Sequence, residues 1–354
     1  MPRLLLAVAL TSMIAAGAAV VGAASDALTI YFIDVEGGQS TLVVTPSGES
    51  LLVDAGFPSD GKFSSMPGDP ASARDAQRIV TAMRDAGVKQ IDNLMVTHFH
   101  ADHDGGIAEL AKLVRIRRFI DHGKPADDAE QGVAGTLAIF QTYVTARGAA
   151  PHLDPAPGAK LPLKGVDAVV VSAAGKTIAA PLGGGGATNA ACGSTQLPAQ
   201  EKTENPRSNG IRLQFGRFTF LDVGDLSGPP LYALFCPRDL VGPVDVYLLP
   251  HHGGVEAGDP AVFGATPPRA AVVNNGAVKG GEPEMFAAAH DHASGMDVWQ
   301  LHRSRKPGAR NYPDERIANL DETTAHWIKV TAKRDGSFVV TNSRTNERRE
   351  YGRR

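Results

Sequence analysis

The stretch THFHADHDGG, residues 97–106, concentrates three histidines and two aspartates in one short run. Imidazole and carboxylate are side chains that bind zinc in proteins, at about 2.0–2.2 Å. A solvated acidic loop has no need of imidazoles at this spacing. If the backbone is extended where the run begins, His98 and His100 point to the same side, because side chains alternate along a strand. Asp102 and His103 are then expected to face a second position beside the first.

Three further groups follow predicted strands. Asp54 lies in LLVDAG, Asp225 lies in FLDVGD, and the pair His251 and His252 follows VDVYLLP. Side chains placed at strand ends sit on a rigid scaffold and project into loops. A carboxylate such as Asp225 can bridge two ions about 3.5–4 Å apart. Together these elements predict a metal centre, and a hydrogen-bonded polar cluster is the alternative.

The rest of the chain predicts one α/β domain over residues 25–354. Apolar runs separated by EGGQS and PSGES predict a β-meander before Asp54, and helical spacing that stops at Gly87 predicts a helix after it. Strands and helices then alternate, without a charged or proline-rich linker, to a terminal hairpin that turns at residues 335–336. Residues 176–207, rich in glycine and proline, are expected to form a long surface loop near the active site.

The amino terminus has the pattern of a secretory signal peptide over residues 1–24. A short basic region with Arg3 precedes an apolar run, and small residues around position 24 offer a cleavage site. An uncleaved anchor is the alternative. No later stretch is apolar enough to span a membrane, so we expect a secreted or periplasmic protein. In that compartment Cys192 and Cys236 most simply form a disulfide, with buried free thiols as the alternative.

The charge balance excludes a strongly basic nucleic-acid surface. The 354 residues include 35 Lys and Arg against 38 Asp and Glu, for a formal net charge of -3. The local basic excess of the tail SRTNERREYGRR is typical of a solvated chain end. Contacts with long nucleic acids need a basic groove, and no strong patch of this kind is evident. Composition does not predict the oligomeric state.

These motifs, in this order, resemble the metallo-β-lactamase superfamily over nearly all of the expected mature chain. The resemblance rests on LLVDAG, THFHADHDGG, FLDVGD and LLPHHGG. It implies a single-domain, four-layer αββα sandwich with two metal ions at one edge. Carried over residue by residue, it implies that His98 and His100 hold the first ion, that Asp102, His103 and His252 hold the second, that Asp225 bridges both, and that Asp54 supports the ligands from behind.

Two positions depart from a simple match. The sequence offers both His251 and His252 for the late ligand; we favour His252, with His251 directed toward substrate or the core. The family usually supplies a third histidine to the first ion from a loop where this chain reads ENPRSNG. The replacements offered by the sequence are Asn205, Ser208, Asn209 and, from another direction, His122. The remaining histidines, expected at the surface or in structural roles, are His152, His290, His292, His302 and His326.

Within the superfamily, the motifs are most similar to the branch that contains the hydrolase domain of the DNA-uptake channel of competent bacteria, the ComEC-like proteins. That branch also carries asparagine and serine in place of the missing histidine and a P-H-H-G end. This chain lacks channel helices, so the resemblance implies a free-standing secreted relative.

The leading functional hypothesis is a metal-dependent hydrolase that uses a metal-bound hydroxide. Zinc is expected, as one or two ions, with Mn²⁺ or iron as alternatives. Asp102 would orient the water and accept its proton, and His251 would stabilise the developing negative charge. A phosphodiester is the favoured substrate, with Lys279 and Arg207 as candidate phosphate contacts or as ordinary solvated charges. The second candidate is a small cyclic ester or amide, as for a lactonase or β-lactamase.

Two other classes of function remain open. An iron-dependent oxidoreductase uses the same fold, but flavin-dependent forms need a fused flavin domain, and a sulfur dioxygenase would keep the missing histidine. A non-catalytic binding protein is consistent with the incomplete first site but not with the intact set of acidic and histidine ligands for the second.

Overall fold

A computed structural model describes residues 26–58, 74–193, 201–263, 267–292 and 295–353. The predicted signal peptide, residues 1–24, lies outside the described residues. Within them, no helix combines the length and the apolar character needed to cross a membrane.

The described residues form helices and strands that alternate as the sequence predicts. The helices are α1 Arg74–Asp85, α2 Ile107–Leu113, α3 Ala129–Gly132, α4 Thr136–Arg147, α5 Gly228–Phe235 and α6 Pro283–His292. The strands, in chain order, are β1 Leu28–Phe32, β2 Thr41–Val44, β3 Ser50–Val53, β4 Asn93–Met95, β5 Phe119–Ile120, β6 His152–Leu153, β7 Lys160–Leu161, β8 Asp167–Ala173, β9 Lys176–Thr177, β10 Gly210–Phe215, β11 Phe218–Asp222, β12 Val246–Leu248, β13 Ala270–Val273, β14 Asp297–His302, β15 Ile317–Asn319, β16 Ile328–Ala332, β17 Phe338–Asn342 and β18 Arg348–Tyr351.

The strands form two mixed sheets. The first has the order β18-β17-β16-β1-β2-β3-β4-β5-β6, and the second has the order β15-β14-β13-β12-β11-β10-β8-β7, with β9 beside β8. The predicted meander β1 to β3 is antiparallel, whereas β3 to β6 and β11 to β15 pair in parallel. The predicted terminal hairpin is β16 and β17.

Three layers of apolar contacts hold the sandwich together. Leu28, Ile30 and Phe32 of β1 face the second sheet in the central core. Tyr31, which points the other way because side chains alternate along a strand, packs with residues of α1, α2 and α4. The outer face of the second sheet packs against α5 and α6. The predicted four-layer αββα arrangement is therefore confirmed.

Two expected strand ends need correction, one helix was missed, and the expected disulfide is confirmed. Strand β4 ends at Met95, so His98 and His100 lie in a bend beyond it and not on the strand. Strand β11 ends at Asp222, and a turn lies between it and Asp225. Helix α5 was not predicted. The expected disulfide between Cys192 and Cys236 is present, with Cα atoms 5.8 Å apart.

Candidate metal centre

The metal-capable side chains lie in loops that follow parallel strands. In the first sheet, β3 and β4 are parallel neighbours, and the loops after them begin at Asp54 and carry the THFHADHDGG motif. In the second sheet, β11 and β12 are parallel neighbours, followed by Asp225 and by the His251–His252 pair. Because parallel strands end at the same edge of a sheet, each sheet brings two loops together. The two edges then meet across the central core.

Four buried side chains from these loops converge on one point. The ligand atoms of Asp102, His103, Asp225 and His252 all lie within 4.8 Å of one another. The Nε2 atoms of His103 and His252 are 3.2 Å apart. Asp225 Oδ2 lies 3.2 Å from His103 Nε2 and 3.1 Å from His252 Nε2. Asp102 Oδ2 lies 3.3 and 3.1 Å from the same two nitrogens.

Asp54 determines which nitrogen of His103 is free to bind an ion. Its Oδ2 lies 2.7 Å from His103 Nδ1 and also accepts a hydrogen bond from the Thr97 hydroxyl. A carboxylate oxygen accepts protons, so Nδ1 carries the hydrogen in the neutral ring and Nε2 keeps its lone pair. That lone pair points at two carboxylates and another imidazole nitrogen. A cation at this point would be coordinated by these electron pairs and would offset the repulsion among them.

His98 and His100 form a second pair of donors beside this group. His98 Nε2 lies 2.9 Å from His100 Nδ1 and 4.0 Å from Asp225 Oδ2. The Thr97 hydroxyl, which donates to Asp54, faces His98 Nδ1 at 3.1 Å and is free to accept its hydrogen. Thr97 therefore orients His98 in the way that Asp54 orients His103. Asp225 contacts both the His98–His100 pair and the cluster that contains His103 and His252.

Asn205, Ser208 and Asn209, in the segment that lacks the expected histidine, each make a different contact near the cluster. Asn205 Nδ2 lies 3.4 Å from His251 Nε2, and its buried Oδ1 has no hydrogen-bond partner. Ser208 Oγ lies 3.3 Å from Nδ1 of His98, the nitrogen turned away from the donor cluster. Asn209 Nδ2 donates to the Val96 carbonyl and ties the segment to the end of β4.

His122 is not brought to this cluster. Its Nε2 lies 3.1 Å from Glu204 Oε2, and its ring packs on Phe99. The structure places the remaining described histidines elsewhere: His152 on Asp121, His302 on Asp34, His290 against Tyr312 and His326 near Ser343. The side chain of His292 lies outside the described part of the chain.

Backbone strain is concentrated around these loops. Asp54, His251 and His252 have φ values of 59, 53 and 55°, in the left-handed region that favours glycine. Each such residue costs on the order of 1–3 kcal/mol and persists where its surroundings over-determine it. Gly224, with φ 57°, lets the turn before Asp225 approach the Thr97 side chain; a Cβ there would lie 2.7 Å from Thr97 Cβ.

The comparison with protein families gives one match. Residues 33–185 match the model described as the metallo-beta-lactamase superfamily, a range that includes Asp54 and the whole THFHADHDGG motif. The chain has the metallo-β-lactamase fold. This confirms the resemblance to the superfamily, and the similarity to the ComEC-like branch stays a prediction. A search of curated proteins gives no match.

Solved structures with this fold resemble the chain only distantly. The metallo-beta-lactamase fold protein YhfI from Bacillus subtilis is 10% identical, with 77% of this chain and 95% of that chain covered and a TM-score of 0.42. Tm1679, a metal-dependent hydrolase of the beta-lactamase superfamily, is 10% identical, with 84% and 98% covered and a TM-score of 0.43. CmlA, a diiron β-hydroxylase from Streptomyces venezuelae, is 15% identical, with 69% and 44% covered and a TM-score of 0.37.

The charge distribution of this metallo-β-lactamase-fold chain fits a cation at the cluster. Burial would raise the pKa of Asp102, but Lys279 and His103 hold that pKa well below its usual value. Lys279 Nζ lies 2.5 Å from Asp102 Oδ2. Burial would likewise raise the pKa of Asp225, but the imidazoles around it hold that pKa well below its usual value. Burial would lower the pKa of His103, but Asp225 and Asp102 hold that pKa well above its usual value. Without an ion, the charged carboxylates are therefore balanced by a proton on the imidazole, which a cation would replace.

A second group of acidic and histidine side chains is already neutralised by protein groups. Asp34, Glu36 and His302 are buried, with ligand atoms within 4.8 Å of one another. The Arg78 guanidinium lies 2.8 Å from Asp34 Oδ2 and 3.2 Å from Glu36 Oε1. His302 Nε2 lies 2.9 Å from Asp34 Oδ1. Arg78 and His302 contact different oxygens of the two carboxylates, since His302 Nε2 also lies 3.3 Å from Glu36 Oε2, and we interpret the group as a structural ion network.

A cavity of about 550 Å³ opens beside the metal centre. His100 and Asp102 belong to its lining, and most of the remaining wall is apolar. Lys279 and Glu36 are the charged side chains of its lining among the described residues, apart from the metal-centre groups. The apolar residues that line it include Phe57, Phe99, Val133, Ile139 and Val278. The cavity is large enough for a small substrate that reaches the donor cluster.

Two contacts in this centre were not predicted from the sequence. Glu256 Oε1 lies 2.5 Å from His251 Nδ1, and the Thr97 hydroxyl connects Asp54 with His98. Thr97 is the first residue of the THFHADHDGG motif, which is a signal that could have been used. Glu256 gives no such signal, because its contact depends on the unusual backbone of His251.

Proposed function

We propose that this protein is a metal-dependent hydrolase. The observation that carries the proposal is the convergence of imidazole lone pairs and charged carboxylates on one buried point, at the end of a cavity. Asp102, His103 and His252 would hold one ion, His98 and His100 another, and Asp225 would lie between them. Divalent ions supply, when bound, a water whose pKa is lowered toward about 7 and a Lewis acid for the bond to be broken.

The protein's own residues would prepare the reaction. Asp54 and Thr97 hold the imidazoles in the tautomers that leave donor nitrogens facing inward. Asp102 is placed to orient a water at the centre and to accept its proton. The apolar cavity wall excludes bulk water from the substrate, which strengthens the electrostatic interactions at the centre.

For the substrate, we propose a small phosphodiester as the first candidate. Lys279 supports this choice, because its amine lies next to Asp102 and its side chain is 41% exposed, so it can reach a phosphoryl oxygen. Arg207 is less available, since its guanidinium contacts Glu204 and the Lys124 carbonyl. One nearby lysine suits a single phosphate better than a long polyanion, which needs several basic contacts.

A small cyclic ester or amide is the second candidate, and the apolar wall of the cavity favours it. Phe57, Phe99 and Val278 offer contacts to a hydrocarbon portion of a lactone or lactam. Such a substrate needs no cluster of cations. We further propose that the protein acts outside the cytoplasm, supported by the signal-peptide pattern and by the disulfide.

The test compares zinc-loaded and chelator-treated protein on bis(p-nitrophenyl) phosphate, a γ-lactone and a chromogenic β-lactam. We expect zinc-dependent hydrolysis of one class and its loss in His103→Ala. His290→Ala is the matched control, because that imidazole stacks on Tyr312 and contacts the Arg310 carbonyl. Turnover that persists in His103→Ala, or that is independent of metal, would overturn the proposal.

A further inference from the structure

The first ion position has fewer donors than the second. His98 Nε2, His100 Nδ1 and Asp225 Oδ2 face it, and the segment that usually adds a third imidazole carries Asn205, Ser208 and Asn209 in this chain. Structural and catalytic zinc sites use four ligands, of which three or four come from the protein. Two neutral imidazoles and a shared carboxylate would leave this position weaker than its neighbour.

His251 lies beside the segment that lacks the expected imidazole, because its Nε2 is 3.4 Å from Asn205 Nδ2. Its Nε2 lies 3.8 Å from Asp225 Oδ2, the same oxygen that His98 Nε2 faces at 4.0 Å. Its backbone N–H donates to the Gly224 carbonyl at 3.1 Å, which fixes the turn next to the bridging carboxylate. The left-handed φ of 53° at His251 is followed by one of 55° at His252. With this backbone, both consecutive rings face Asp225 Oδ2, with His251 Nε2 at 3.8 Å and His252 Nε2 at 3.1 Å.

Glu256 holds His251 in the same way that Asp54 holds His103. Glu256 Oε1 lies 2.5 Å from His251 Nδ1, compared with 2.7 Å between Asp54 Oδ2 and His103 Nδ1. A carboxylate on Nδ1 leaves Nε2 as the ligand nitrogen, and histidines that bind metals commonly have such a partner. The side chains of His251 and Glu256 remain 36% and 22% exposed. The position is therefore reachable by an ion from solvent.

We propose that His251, oriented by Glu256, replaces the missing histidine and completes the first ion position with His98, His100 and Asp225. This inference rests on the proposed metal centre and adds a ligand to it. In the ion-free chain the amide of Asn205 lies 3.4 Å from His251 Nε2 and can donate to it; an ion at this position would take the place of that contact. The role differs from a substrate contact, because it predicts a change in the number of bound ions.

The test counts ions in the absence of substrate. Zinc-loaded protein is dialysed against a weak chelator, and zinc per chain is measured by mass spectrometry; cobalt substitution gives an independent visible spectrum. We expect about two ions in the wild type, about one in His251→Ala, and two in the control His290→Ala. In Glu256→Gln, we expect one of the two ions to bind about 10- to 100-fold more weakly, the usual effect of losing such a partner.

Each other outcome has a distinct meaning. Two ions with unchanged affinity in His251→Ala would overturn the assignment, and so would a single ion in the wild type. No bound ion in the wild type would instead overturn the proposed function. Circular dichroism checks that each variant is folded. If His251→Ala does not fold, His251→Gln keeps a polar side chain of similar length, and the same count of ions decides.

Discussion

At the scale of one residue, Asp54 is placed to set the tautomer of His103, one of the proposed ligands. It accepts hydrogen bonds from Thr97 N and Oγ1 and lies on His103 Nδ1. The sequence placed Asp54 at a strand end and the resemblance implied a supporting role. The sequence alone could not predict that Asp54 sets the tautomer of His103. That role follows from the distance between Asp54 Oδ2 and His103 Nδ1, which depends on how the loops after β3 and β4 pack together.

We predict that Asp54→Asn weakens zinc binding about 10- to 100-fold and leaves the fold intact. The amide oxygen can accept from Thr97 N, which turns the amide NH2 toward His103 Nδ1 and moves the ring hydrogen to Nε2. Asparagine tolerates the left-handed φ of 59° found here. Competition titration with a zinc indicator measures the affinity. An unchanged affinity would contradict the tautomer argument.

Asp222 gives a prediction about pH. Burial raises the pKa of this carboxyl to about 7, against the hydrogen bond from Gly224 N. The folded chain therefore binds a proton that the unfolded chain has lost between about pH 4 and 7. The wild type should lose stability as the pH rises through that window, by up to about 1.4 kcal/mol per pH unit from this group.

Asp222→Asn should remove this dependence, since an amide does not ionise. In metal-free protein we expect the variant to match the wild type near pH 4 and to exceed its free energy of unfolding by a few kcal/mol at pH 8. Urea unfolding at both pH values measures the difference. A difference that does not change with pH would show that Asp222 does not titrate in this window.

At the scale of elements, the sequence predicted the longer strands and the main helices because their apolar residues repeat with clear periods. It missed the short elements β6, β7, β9, β15 and α3, and the tail that it assigned to a solvated chain end contains β18, which pairs with β17. It missed α5, where Pro229 and Pro230 resemble a loop, although proline is well tolerated in the first turn of a helix. It also extended β4 into the motif. The strand ends at Met95, and the bend that follows brings His98 and His100 together without strand periodicity.

The disulfide gives a prediction at this scale. It joins the loop that contains Cys192 to the residue that ends α5, across a separation of 44 residues. Replacing both cysteines by serine should lower the free energy of unfolding by about 2–4 kcal/mol, because the unfolded chain gains loop entropy. Guanidinium unfolding of the double variant, with zinc content as the control, measures this. Loss of zinc together with stability would mean that the loop also supports the metal centre.

At the scale of the whole molecule, the centre exists only because both sheets are present. One sheet supplies Asp54 and the THFHADHDGG loop, and the other supplies Asp225 and His252. The order of these motifs along the chain was enough to predict that they converge. The sequence could not predict the pairing of His251 with Glu256 or the shape of the cavity, because these depend on backbone angles and on packing between distant loops.

Because the proposed ligands come from both sheets, removal of a bound metal should weaken the whole fold. A ligand bound only by the folded state at 1,000 times its dissociation constant stabilises a protein by about 4 kcal/mol. We therefore expect chelator-treated protein to unfold at a lower denaturant concentration, with recovery on adding zinc. His103→Ala should show a reduced response to zinc, whereas His290→Ala should respond fully. Equal unfolding curves with and without zinc would contradict this coupling.

The most direct test of the central claim is anomalous diffraction at the zinc absorption edge from crystals of zinc-loaded protein. The account predicts a peak about 2.0–2.2 Å from ligand atoms of Asp102, His103, Asp225 and His252. A peak that lies only at the Asp34, Glu36 and His302 group, or no peak in the protein at all, would contradict it.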